Sequence, residues 1–105
     1  GVEPQFEITD ELYLYEVFED SVTPLLRSSH SFTADNFYSA AKVVIDGERY
    51  SNSGWTHAEG SNLVGWTRTQ DKSRIVYLQG GDDPTAYANT NYQLLLGNAI
   101  GWVSR

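Results

Sequence analysis

The stretch from Leu63 to Arg105 limits what this chain can fold into: LVGWTRTQDKSRIVYLQGGDD leads through Pro84 into NTNYQLLLGNAIGWVSR. The hydrophobic period changes within it. Leu63 to Thr69 and Arg74 to Leu78 read as paired strands around a polar turn. Ile75, Val76, Tyr77 and Leu78 form the unbroken apolar run expected of a strand covered on both faces. Tyr92, Leu95, Leu96, Ala99, Trp102 and Val103 then recur at three- and four-residue spacing, which predicts a helix over Thr90 to Val103 whose stripe must pack on a sheet. Gly80, Gly81, Asp82 and Asp83 lie between, at the strand's carboxyl end, where open α/β sheets bind ligands. Asp83 before Pro84 fits a helix cap with proline at the first helical position, and Asn89 fits a cap for the last helix.

Upstream, the signals are shorter. Glu3, Glu7, Asp10, Glu11, Glu16, Glu19 and Asp20 supply half of the fourteen carboxylates, a run that ordinarily marks a solvated face. Tyr13 to Phe18 has the content of a strand or extended edge, and Val22 to Arg27 of a second strand that Pro24 directs to an edge. Ser28 to Asn36 reads as loop. Asn36 to Ile45 fits either a short helix or a strand, and Asp46-Gly47 makes a turn, with a hairpin into Arg49 and Tyr50 as one reading. Ser51 to Gly60 is a polar, Gly-rich surface loop carrying Trp55 and His57. Repeats and low-complexity tracts are absent.

Composition excludes several functions. With 105 residues, 40% of them hydrophobic, the chain can bury a modest core, and no stretch has the apolar length of a membrane span. A net charge of −7 offers no counterion-releasing surface for a phosphate backbone, which argues against nucleic acid as partner. Zero cysteines remove disulfides, thiolate metal ligands and a cysteine nucleophile. That composition fits cytoplasm and periplasm alike.

Specific motifs resemble the ThuA-like (trehalose-utilisation) family. Gly65-Trp66 stands where that family ends an aromatic strand, and Lys72 to Tyr77 resembles its basic turn and following strand. Tyr92, Leu95, Leu96, Asn98, Ala99, Ile100 and Trp102 resemble its terminal helix, and Phe6, Ile8, Asp10, Glu11, Leu12 and Tyr13 its F-x-I-x-DELY segment. The resemblance implies the carboxyl-terminal portion of a class I glutamine amidotransferase-like (flavodoxin-like) three-layer α/β sandwich. The whole chain, residues 1 to 105, would form a single piece of a domain about twice as long. It also implies a role in trehalose or related carbohydrate use. One departure stands out: Gly81 occupies the position where the family's loop carries His, so a pseudo-enzyme becomes an alternative to an enzyme.

The candidate site residues follow from these segments. Glu11, beside aromatic rings, is a candidate for acid–base work or for a metal ligand, or else a solvated member of the acidic run; Asp10 is its turn-forming neighbour. Asp82 is a candidate general base or hydroxyl-binding carboxylate at the glycine loop. Asp10, Tyr13, Tyr87, Gly81 and His57 are candidate substrate contacts. Apolar sugar faces pack on aromatic rings while hydroxyls need acceptors, so the ligand class suggested is a saccharide. Neither His30 nor His57 belongs to a spaced metal motif, and a divalent metal such as zinc is left open because ligands can converge in space. Three functions are carried forward: a sugar-processing enzyme whose site is shared with an N-terminal half, a non-catalytic carbohydrate-binding domain, and an amidotransferase-like subunit that binds a partner chain. Exposed strand edges would make the chain associate with itself or with that missing half.

Overall fold

A computed structural model describes residues 1 to 105. Three strands form one antiparallel sheet in the order β1-β2-β3: β1 is Thr23–Arg27, β2 Leu63–Gln70 and β3 Ser73–Leu78. Three α-helices accompany it, α1 at Ala40–Asp46, α2 at Pro84–Tyr87 and α3 at Thr90–Val103, with short 3-10 turns at Glu19–Ser21 and Ala34–Asn36. The arrangement is mixed α/β with a small antiparallel sheet.

The hairpin and the terminal helix form where their periods require. β2 and β3 pair in unbroken register from Gly65↔Leu78 to Gln70↔Ser73, and Asp71 in the turn has φ +52°. Along α3 the sheltered apolar residues are Tyr92, Leu95, Leu96, Ala99 and Trp102, while Val103 is exposed. The helix packs on β3. Arg74 joins the two by donating to the Trp102 carbonyl at 3.0 Å, with its guanidinium 5.5 Å from the Trp102 ring centre. Caps hold both C-terminal helices: the Asp83 side chain accepts from Thr85 and Ala86 N–H, and the Asn89 side chain accepts from Tyr92 N–H.

β1 is an edge strand with irregular register on either side of Leu26, as Pro24 foreshadows. Its end is tied by Arg27, which donates to Asn62 at 2.8 Å and to Glu19 at 2.6 Å. Glu19 also accepts from Ser61, and these bonds from Arg27 and Ser61 hold its carboxyl below the usual range.

Several expectations are corrected. β3 is not covered on both faces: Ser73 to Ile75 are exposed and Val76 to Leu78 half-buried, because α3 shelters only one face. The strands are antiparallel, so the rule locating ligands at parallel strand ends has no direct purchase on Gly80 to Asp83. Tyr13 to Phe18 is extended but joins no ladder; the Gln79 side chain and Ser61 N–H take its backbone groups instead. The Asp46-Gly47 turn closes α1, with Gly47 at φ +69° bonding back to the Val43 carbonyl, and starts no hairpin.

Core formation is modest. Phe32, Phe37 and Val64 make a buried cluster with Leu12, Leu14, Leu26 and Trp55 packed on it. Leu63 and Ala86 have no exposure at all. Ser28 to Asn36, marked as loop by its polar composition, is irregular apart from a 3-10 turn at Ala34–Asn36, and the Phe32 and Phe37 rings on either side of that turn anchor it.

Candidate functional site

Asp10 and the glycine loop, some seventy positions apart in sequence, are joined through one carboxylate. Asp10 Oδ2 accepts from Gly81 N–H at 2.8 Å, and Oδ1 accepts from Asp82 N–H at 3.1 Å and from Glu11 N–H at 2.9 Å. Turn N–H groups left without partners would be costly, and a carboxylate satisfies them with charge-assisted bonds. Gln79, 8% exposed, makes the adjoining clasp: its Oε1 accepts from Tyr13 N–H at 3.0 Å and its Nε2 donates to the Tyr13 carbonyl at 3.4 Å. Both clasps lay the Asp10 to Tyr13 segment against the end of β3.

Two tyrosines fix the loop from the helical side. Tyr92 Oη donates to the Gly80 carbonyl at 2.9 Å, and the Tyr87 ring meets the Tyr92 ring edge-on at 5.6 Å. Glycine is required at both loop positions. A Cβ on Gly80 would lie 2.6 Å from Asp10 Oδ2. A Cβ on Gly81 would lie 2.7 Å from Tyr87 Oη and 3.0 Å from Tyr92 Oη, at φ +110°. A side chain at position 81 would be obstructed, since the space an imidazole would enter holds two phenol oxygens.

Glu11, Tyr13, Asp82 and Tyr87 face outward from this framework; all four are exposed. The Tyr13 hydroxyl is held above its ordinary pKa by desolvation first, and then by the negative charges of Glu11 and Asp82. Tyr13 therefore stays a neutral phenol. Burial lifts the Tyr92 phenol as well, with Tyr87 and Asp10 adding to it. An open groove of roughly 1110 Å³ meets this framework at Asp10, and Leu12, Leu26, Val64 and Thr85 are among the residues that line it.

His57 lies elsewhere in contact terms. Its ring pairs with the Ala58 carbonyl at 2.6 Å and packs 6.0 Å from Trp55, and it shares no hydrogen bond or ring contact with the Asp10–Gly81 group. No set of three His, Asp or Glu side chains converges as metal ligands. Sequence reading places Tyr92 only on the helix stripe and passes over Gln79; the one usable signal is that each is a polar-tipped residue at an inward position, where it needs a partner.

Beneath Tyr13, Trp66 and Tyr77 pair across β2 and β3 and stack at 5.1 Å, with Tyr15 edge-on to Tyr77 at 6.0 Å. Burial pushes the Tyr77 phenol up to about 12, with the nearby Tyr15 hydroxyl adding to the rise and Gln79 opposing it. The native state thus keeps this proton to about pH 12, whereas the unfolded chain releases it near pH 10. The stabilisation is complete below the unfolded value and is lost as pH rises through the folded one. Denaturant unfolding between these limits is expected to show falling stability, with a shallower fall for Tyr77→Phe; equal slopes for both proteins would contradict it.

No protein-family model, curated protein or solved structure matches the chain.

Proposed function

We propose that this chain is the carboxyl-terminal part of a ThuA-like, class I glutamine amidotransferase-like protein with a role in trehalose or related carbohydrate metabolism. Its saccharide contacts would be Glu11, Tyr13, Asp82 and Tyr87. The observation that carries the reading is the Asp10 clasp, which draws the DELY segment onto the Gly80–Asp82 loop, the two segments where the family resemblance is sharpest. The chemistry suits a neutral polyol: Glu11 and Asp82 accept from hydroxyls, the neutral Tyr13 phenol donates, and exposed tyrosine rings pack on apolar sugar faces. Asp10 has a different part in this reading, since its oxygens are engaged with backbone N–H groups and build the loop that presents its neighbours. With glycine at position 81 no imidazole is available at the loop, which favours binding over hydrolysis.

Isothermal titration with trehalose and related disaccharides tests the assignment. Asp82→Asn is expected to weaken binding by about 1–3 kcal/mol through loss of a charged acceptor, while Glu16→Gln, on the solvated face, leaves affinity unchanged. Equal affinities for wild type and Asp82→Asn would overturn the site.

A second reading, a domain that binds a partner chain, rests on an independent observation. The chain exposes 7454 Å², against about 5,900 Å² expected for a compact monomer of its mass. Its radius of gyration is 15.7 Å, against about 13 Å for a compact domain of this length. The surplus exceeds the roughly 800 Å² that each partner contributes to a stable interface.

A further inference from the structure

The surplus surface includes a sheet edge whose register can be worked out. The Gln79 N–H donates to the Val64 carbonyl at 2.8 Å, and Gly65↔Leu78 and Trp66↔Tyr77 continue that pairing. In an antiparallel ladder every second pair exchanges hydrogen bonds, so Ser73, Ile75 and Tyr77 bond to β2 while Arg74, Val76 and Leu78 point their N–H and C=O groups away from it. None of those outward groups has a partner.

Edge strands are ordinarily blunted by proline, bulges or charge. β1 has such devices in Pro24 and its irregular register. β3 has a regular register and, past Arg74, an apolar run through Leu78. Arg74, the one charged residue in the strand, turns its side chain onto Trp102 and leaves the edge itself unguarded.

The occupant is constrained by α3. A second copy pairing β3 to β3 would set the two strands about 4.8 Å apart. Because α3 packs on β3, an antiparallel pair, related by a two-fold axis normal to the sheet, would bring the two copies of α3 about equally close on the same face, whereas packed helices need 8–10 Å between axes. The partner strand must therefore carry no helix over that face. Charge runs along the edge too. Of the seven Lys and Arg, Arg68, Lys72 and Arg74 cluster at the hairpin end with Asp71 as the single acid, and Asp82 and Asp83 lie at the other end.

We propose that the outer edge of β3 is a docking site for an extended, mainly apolar segment of a partner chain that carries an acidic residue beside the Lys72 hairpin. The segment completes the ladder at Arg74, Val76 and Leu78, and its apolar side chains shelter Ile75 and the exposed flank of α3. This names the surface used in the partner-binding reading and is independent of the saccharide contacts.

Amide hydrogen exchange tests it, with the N-acetylated peptide amide Thr-Val-Thr-Val-Asp as probe and a counterpart N-methylated at alternate residues as control. Without peptide, the amides of Arg74, Val76 and Leu78 are expected to exchange faster than those of Ile75 and Tyr77. Saturating peptide should slow the first three by about tenfold, as expected when a solvent-facing amide joins a ladder. The N-methylated peptide should slow none of them. Val76→Pro removes only an outward N–H, a position where an edge strand tolerates proline, and should weaken the peptide at least about tenfold while trehalose titration is unchanged. Lys72→Glu should weaken this peptide and strengthen one ending in Lys. Unchanged exchange at Arg74, Val76 and Leu78 with the peptide present would overturn the proposal. So would equal protection by the N-methylated peptide, or protection that grows with protein concentration alone. If Val76→Pro fails to fold, the comparison of the two peptides decides.

Discussion

Asp10→Ala is expected to lower the stability of the fold by about 3 kcal/mol, the largest effect anticipated for any single polar side chain here. The carboxylate accepts from three backbone N–H groups, and two of them belong to a loop with no other acceptor for those donors. Hydrogen bonds to a charged group contribute about 1.5–3 kcal/mol each, and those sharing one carboxylate add less than their sum. For a chain of this length the change corresponds to a fall in Tm of roughly 12–20 °C. Thermal unfolding followed by tyrosine fluorescence reads it, because Tyr13, Tyr87 and Tyr92 all lie at the loop. Asp10→Asn keeps an acceptor oxygen and should recover part of the loss. A melting temperature for Asp10→Ala within a degree or two of wild type would show that the clasp does not hold the loop.

Gly81→His should be nearly as damaging, with a loss of about 2–3 kcal/mol. Two costs coincide at this position. A φ of +110° belongs to the region that side-chain-bearing residues scarcely enter, and the new Cβ meets Tyr87 Oη and Tyr92 Oη at 2.7 and 3.0 Å. Tyr92 cannot move aside without giving up its bond to the Gly80 carbonyl. Removing one obstacle separates the terms: Gly81→His combined with Tyr87→Ala should regain part of the stability, leaving the backbone strain. Chemical denaturation of wild type, the single variants and the double variant measures the coupling directly. If Gly81→His were as stable as wild type, the steric account of position 81 would fall.

The sequence by itself determined the local elements in the last third. The β2–β3 hairpin, the extent of α3, and the caps at Asp83 and Asn89 follow from period and capping chemistry, both written in residues close to one another. The edge character of Val22 to Arg27 was legible for the same reason, because proline lacks the N–H that an inner strand needs. What the tertiary structure alone decided are the long-range choices. Whether Asp10 would face a ligand or take the N–H groups of Gly81 and Asp82 depends on a contact across seventy residues that no local pattern encodes. Tyr13 to Phe18 had the composition of a strand, yet its backbone partners came from a glutamine side chain and a loop. Phe32 read as part of a polar loop, and Phe37 as part of a segment open between helix and strand, until Val64 gave both a surface to bury against. The same limit applied to β3: an apolar run shows that a strand seeks cover, and only the assembled sheet shows that α3 covers one face while the outer edge at Val76 stays open. Short-range hydrogen bonding and periodicity are properties of neighbouring residues, whereas burial and the pairing of isolated polar groups belong to whatever the folded chain brings alongside them.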